Sequence, residues 1–256
     1  MTPLLAARQL VLDVPGRGPG APFDFALPGG QMVAILGANG SGKTTLLHTL
    51  TGLRAPRSGT VLLAGRAVGA WSSRARAQRL GLLFQDDIAT FPATVEETVA
   101  AGRFAHQPMW RNLSGADRQA ITDALDVMQL RDLARRPLEA LSGGERRRVA
   151  LATLLAQDPP VMLLDEPVNH LDWHHQILIM DHLARLTREA GKTALVSLHD
   201  PNLAARYCEH VLLLGPDGAA QWGPSAELLT AERLGWLYRH PFACLDDGGV
   251  RVFVPR

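Results

Sequence analysis

The eight residues GANGSGKT at 37–44 constrain this chain more than any others. They match G-x-x-x-x-G-K-[ST] and stand between a compact apolar run, QMVAIL at 31–36, and a helical pattern that starts at Lys43. Polyphosphate binding requires that order. Gly37, Gly40 and Gly42 let the backbone curl so that successive N–H groups point inward at phosphate oxygens. The following helix adds the partial positive charge of its N-terminus. Lys43 supplies a point charge for the β- and γ-phosphates, and Thr44 offers a hydroxyl to Mg²⁺. Asn39, Ser41 and Thr45 complete the set of binding candidates in this stretch. The chain has two lysines, Lys43 and Lys192, and one of them occupies the position the pattern needs. A glycine-rich turn is the bland alternative.

Around this loop, short apolar runs alternate with helical patterns. GLLFQ (81–85), VMLLD (161–165), TALVSL (193–198) and HVLLLG (210–215) resemble QMVAIL in length and in their turn-forming ends. Such runs suit strands buried on both faces. Helical patterns occupy 43–52, 115–129, 143–156, 173–189 and 201–208. The alternation predicts an α/β fold with a mostly parallel sheet. The weakly alternating stretch 8–27, with FDFAL in it, predicts an N-terminal antiparallel β part broken by a loop at 15–22. Residues 86–157 carry no convincing buried strand and read as a helical subdomain inserted into a core made of 1–85 and 158–256. At 256 residues and 46% hydrophobic content, the chain can support one core with such an attachment.

Other bulk properties mainly exclude. A net charge of +1 gives no field directed at nucleic acid. Cys208 and Cys244 build neither a disulfide framework nor a zinc spacing. The N-terminus lacks the basic and apolar regions of a signal peptide. No apolar stretch approaches the roughly 18 residues of a membrane span, so a role at a membrane implies docking on another chain.

VMLLDEP ends a buried strand with two acids, at the strand end where open parallel sheets bind ligands. Asp165 would face the Mg²⁺ near Thr44, and Glu166 could orient and deprotonate a water for attack on the γ-phosphate. LSGGE (141–145) reads as a capping box in which Ser142 caps a helix and Glu145 returns the bond. Gly143 and Gly144 would let backbone N–H groups approach an anion there.

LSGGE followed by an Arg-rich helix closely resembles the signature motif of the ABC ATPase family. The phosphate loop, Gln85, LSGGE, VMLLDE, NHLD (169–172) and His199 stand in the family's order, across residues 8–230. The resemblance implies ATP and Mg²⁺ as cofactors, with Thr44, Gln85 and Asp165 at the metal. Glu166 would be the catalytic base, and Gln85 would touch metal or water and link the core to the helical subdomain. His199 would be the switch histidine and Asp172 the aspartate that reaches across a subunit interface. Ser142, Gly143 and Gly144 would cap the nucleotide held by a second copy, in a head-to-tail dimer. Asp172 also reads as an N-cap for helix 173–189.

Three features depart from the family pattern. Val14 stands where an aromatic residue usually stacks on adenine, and Asn169 replaces a serine. His170, His174 and His175 form a cluster that helix-surface histidines explain as well as a metal site would. A single ATPase chain with no guanine-reading motif, no sustained heptads and no membrane helices is similar to importer subunits, although some exporters and non-transport ABC ATPases remain alternatives. The stretches 99–117 and 197–214 and the tail, with a last short strand GVRVFVP at 249–255, resemble ATPases of iron-siderophore, haem and cobalamin uptake. That resemblance implies integral permease subunits as partners, an external substrate-binding protein as an indirect one, and a place on the cytoplasmic side of the membrane.

Overall fold

The computed structural model describes residues 3–85, 92–107, 112–169, 171–248 and 250–256. Parts of the expected helical stretch, at 86–91 and 108–111, and His170 of the histidine cluster lie outside these. The elements run β1 (Leu5–Val11), β2 (Phe23–Leu27), β3 (Met32–Leu36), α1 (Lys43–Leu50), β4 (Ser58–Leu63), β5 (Arg66–Ala67) and α2 (Ser73–Ala77). Then come β6 (Leu80–Leu83), α3 (Val95–Ala101), α4 (Gly115–Val127), α5 (Gly143–Gln157), β7 (Val161–Leu164), α6 (Trp173–Ala190) and β8 (Thr193–Ser197). The chain closes with α7 (Pro201–Tyr207), β9 (His210–Leu214), β10 (Ala220–Pro224), α8 (Ser225–Leu228), α9 (Ala231–Tyr238), β11 (Phe242–Asp247) and β12 (Val250–Pro255).

The expected apolar runs are β3, β6, β7, β8 and β9. They form one sheet in the order β10-β9-β3-β8-β7-β6, parallel except for the β9–β10 pair. Their unbroken hydrophobicity follows from burial on both faces. In β3, Met32, Ala34 and Leu36 join a core with α3–α7 and α9, while Val33 and Ile35 join a second core with α1 and the N-terminal strands. That second layer is an antiparallel sheet ordered β2-β1-β4-β5. Helix α1 lies against it with Leu46, Leu47 and Leu50 fully buried, each stabilising the packing by about 2 kcal/mol. The phosphate loop is therefore anchored at its strand end and at its helix end.

Helices α3, α4 and α5 pack on one another, each opened by a capping box: Thr94 with Glu97, Ser114 with Asp117, and Ser142 with Glu145. The region 58–77 gave no clear sequence signal because β4 begins with three exposed residues and β5 is two residues long. At the C-terminus the expected last strand, β12, is one arm of a hairpin with β11. FACLDD lacks the alternation that would have disclosed its partner. Among the described residues, no helix is long and apolar enough to cross a membrane.

Candidate nucleotide-binding and hydrolysis site

Four neighbouring parallel strands deliver the site. In sheet order β3, β8, β7 and β6 end at the loops carrying Gly37, His199, the Asp165–Glu166 pair and Gln85. The register is tight: Leu198 N–H donates to Ile35 O at 3.0 Å, and Asp165 N–H donates to Leu83 O at 3.0 Å. The carboxyl ends of adjacent strands thus place residues far apart in sequence around one cleft of about 560 Å³, a volume typical of small-molecule sites. Asn39, Gly40, Gly42, Lys43, Thr44 and Thr45 line it together with Gln85, Glu166, Asn169 and His199.

The loop needs its glycines for definite reasons. Gly42 caps α1 at φ 105°, a conformation that strains any residue bearing a Cβ. A Cβ on Gly37 would stand 2.4 Å from Ser41 Oγ and 2.8 Å from Leu214 O. Lys43 is buried, and its ammonium donates to Gly37 O at 2.8 Å. Burial pulls its pKa down, while the nearby Glu166 and Asp165 charges act in the opposite direction. Gly37 and Ser41 lie behind the loop rather than in the cleft lining, and Ser41 borders a separate cavity of about 240 Å³ with Leu12, Phe23 and Leu214. Arg17 ties the loop from outside, donating to Gly40 O at 3.2 Å and to Pro216 O.

The two acids occupy different environments. Asp165 is 1% exposed; its Oδ1 accepts from Ser197 Oγ at 2.6 Å, and its Oδ2 has no hydrogen-bond partner among the described residues. Thr44 Oγ1 and Gln85 Oε1, 3.5 Å from each other, line the cleft, while Asp165 lies behind that lining; its orphaned carboxylate oxygen and these two oxygens are the kind of hard donors that Mg²⁺ takes. Glu166 faces the cleft. His199 Nε2 lies 2.6 Å from its Oε1, and Gln85 Nε2, at 3.3 Å, and Asn169 Nδ2 donate to its Oε2. Glu166 adopts φ 49°, sparsely populated for a residue with a side chain. Its backbone is held there from both ends, by an N–H bond to Ser197 Oγ at 2.8 Å and by Arg147 donating to its carbonyl at 2.8 Å.

Ser142 and Gly143 are exposed at the N-terminus of α5 and, with Gly144, are not among the described residues lining this cleft. The capping box is in place: Glu145 N–H donates to Ser142 Oγ at 3.3 Å and Ser142 N–H donates to Glu145 Oε2 at 2.7 Å. Those bonds hold the Glu145 carboxyl below its usual range. Asp172 caps α6 through His175 N–H at 2.9 Å and also meets His175 Nδ1 at 2.8 Å. His174 stacks edge-on against His175, and no group of three metal-ligating side chains occurs among the described residues. Val14 touches the loop side of the cleft, where an added Cβ on Gly42 would lie 2.9 Å from it.

Sequence reasoning passed over Ser197 and Arg147. A serine inside TALVSL, where apolar residues belong, was the available signal for the first. For the second it was an arginine spaced four and seven residues before Leu151 and Leu154, on the buried stripe of α5.

A strand–loop–helix phosphate cradle, strand-end carboxylates and a glycine-capped signature helix on a mixed sheet define an ATP-binding cassette. The chain belongs to the ABC transporter family, whose pattern matches residues 21–169. It is accordingly an ATP-binding protein and an ATPase. It is 39% identical to the ferric enterobactin transport ATP-binding protein FepC of Escherichia coli over 231 residues, covering 90% of this chain and 85% of that protein. It is also 39% identical to the hemin import ATP-binding protein HmuV of Nocardia farcinica over 262 residues, 98% of this chain and 88% of that one. Among solved structures it superposes, with a TM-score of 0.85 and 28% identity, on an inward-facing ABC transporter described as of metal-chelate type, covering 99% of this chain and 97% of that one. A dimeric ATP-binding cassette in a post-hydrolysis state, bound to ADP and Pi, gives a TM-score of 0.75 at 28% identity, over 86% and 98%.

Proposed function

We propose that this chain powers an importer of iron-siderophore, haem or cobalamin-type substrates, as a homodimer docked on the cytoplasmic side of a permease pair. The observation that carries the reading is the convergence of Lys43, Gln85, Glu166 and His199 on one cleft. The likeness to siderophore and hemin transport ATPases over nearly the whole chain supports the substrate class.

The cradle at 37–44 binds the ATP polyphosphate through main-chain N–H groups, with Lys43 moving from Gly37 O to the β- and γ-phosphates. Thr44, Gln85 and Asp165 would hold Mg²⁺, which neutralises charge on the phosphate oxygens. Glu166 orients and deprotonates the attacking water, and His199 holds its carboxylate and meets the γ-phosphate. Ser142, Gly143 and Gly144 of one copy cover the nucleotide of the other, with Asp172 at the seam between them. Residues 86–157 act as the helical subdomain that moves with Gln85 when the dimer closes. Phe84, exposed next to Gln85 and packed edge-on against His48 of α1, offers the permease an apolar contact. A substrate-binding protein on the far side of the membrane completes the system.

The test is reconstitution with the permease in lipid vesicles. ATP-driven uptake of a ferric siderophore or haem is expected, and Glu166→Gln should abolish uptake and turnover while ATP still binds. Normal ATPase activity in that variant would reject the base. A chain that stays monomeric and hydrolyses nothing with Mg²⁺ and permease supplied would reject the whole reading.

A further inference from the structure

Arg147 sits one turn into α5, the helix that begins at the signature glycines. It is 7% exposed, an unusual position for a guanidinium. Nη1 donates to the carbonyls of Phe84 and, at 3.4 Å, Gln85; Nη2 donates to those of Asp165 and, at 2.8 Å, Glu166. These four carbonyls belong to the first two residues after β6 and after β7, the segments that present Gln85, Asp165 and Glu166 to the chain's own nucleotide. A rigid planar fork thus joins two strand ends to the helix whose N-terminus serves the other nucleotide.

We infer that Arg147 is a positioning residue that couples the two ATP sites of the dimer. It fixes the signature N-terminus of α5, which caps the partner's ATP, to the strand ends that hold the base and Gln85 over its own. The inference rests on the dimeric reading above. Its physical content is an equilibrium: closing the sandwich needs α5 and the strand ends in one register, and Arg147 holds that register before ATP arrives. Without the fork, closure must order α5 as well, so ATP-driven dimerisation weakens while binding of ATP to the open monomer does not. The bonds go to main-chain carbonyls, so Glu166→Gln leaves them available, and that slow-hydrolysis background can be used for the measurement.

The experiment compares Glu166→Gln alone with Glu166→Gln carrying Arg147→Met or Arg147→Lys. Dimerisation against ATP concentration is followed by sedimentation, monomer ATP affinity by titration at low protein concentration, and folding by melting temperature. Arg147→Met should raise the ATP concentration for half-dimerisation by at least about fivefold, the lower end of typical site-to-site coupling, with monomer affinity within about twofold of the parent. Arg147→Lys, a cation with fewer and unforked donors, should fall between the two. An unchanged midpoint for Arg147→Met, or a loss of monomer affinity equal to the loss of dimerisation, overturns the coupling role and leaves the dimeric reading standing. Failure of the Glu166→Gln parent itself to dimerise with ATP takes down both. If Arg147→Met does not fold, Arg147→Lys decides: a midpoint equal to the parent's overturns the inference, and a raised midpoint at constant monomer affinity supports it.

Discussion

Replacing Ser197 by alanine probes the buried support of the two acids. The hydroxyl donates to Asp165 Oδ1 at 2.6 Å and accepts from Glu166 N–H at 2.8 Å, and Ser197 is fully buried. Ser197→Ala orphans both groups with no route to water. Each buried unsatisfied group costs about 1–3 kcal/mol, with charged ones at the upper end, so the loss should be about 3 kcal/mol. For a chain of this length, about 2–4 °C of melting temperature accompanies each kcal/mol, which predicts a fall of roughly 6–12 °C by calorimetry. Adding Asp165→Asn removes the charge that suffers most, so the double variant should lose less than the sum of the singles, with a coupling of about 0.5–3 kcal/mol. A Ser197→Ala protein melting within about 1 °C of the parent, or strict additivity in the double variant, would refute this account of how the carboxylates are held.

Gly37→Ala places a Cβ 2.4 Å from Ser41 Oγ and 2.8 Å from a backbone carbonyl, so the loop must shift. A binding titration should show ATP affinity down by at least about tenfold, roughly the 1.4 kcal/mol that such displacement easily exceeds. Lys43→Ala should weaken the same titration, and unchanged affinity in either variant would reject the cradle. His182 provides a pH test. Burial first, and then the neighbouring Arg185, lower its pKa from 6.5 to about 4, so the unfolded chain binds the proton more readily than the folded one. Stability from this group is therefore complete above pH 6.5 and is lost as pH falls through about 4. His182→Gln should flatten the acid side of a denaturation midpoint profile over that window, and an unchanged slope would contradict the assignment.

Much of the site was legible because its chemistry is local in sequence. GANGSGKT, VMLLDEP and LSGGE each carry their own geometry: a strand, a turn that only glycine makes easily, and a helix start. The five buried strands were equally plain, since burial on both faces leaves unbroken apolar runs. What the sequence concealed depends on long-range pairing. Ser197 matters because β8 lies beside β7, and Arg147 because α5 packs beneath the ends of β6 and β7. Asn169, which in sequence shows only as a replacement for serine, donates directly to the Glu166 carboxylate. The partner of the last strand, β11, and the strands at 58–67 escaped because exposed residues interrupt their alternation.

Hydrolysis by this chain, as proposed, needs one polyphosphate shared between the loop of one copy and α5 of another. Cysteines at Asn39 and Ser142, in a Glu166→Gln chain with exposed Cys244 changed to serine, report that proximity directly. Mild oxidation should yield a covalent dimer in the presence of ATP and Mg²⁺, and little without nucleotide. A cross-link that ignores ATP, or none at all in a chain that still binds it, would contradict the shared site.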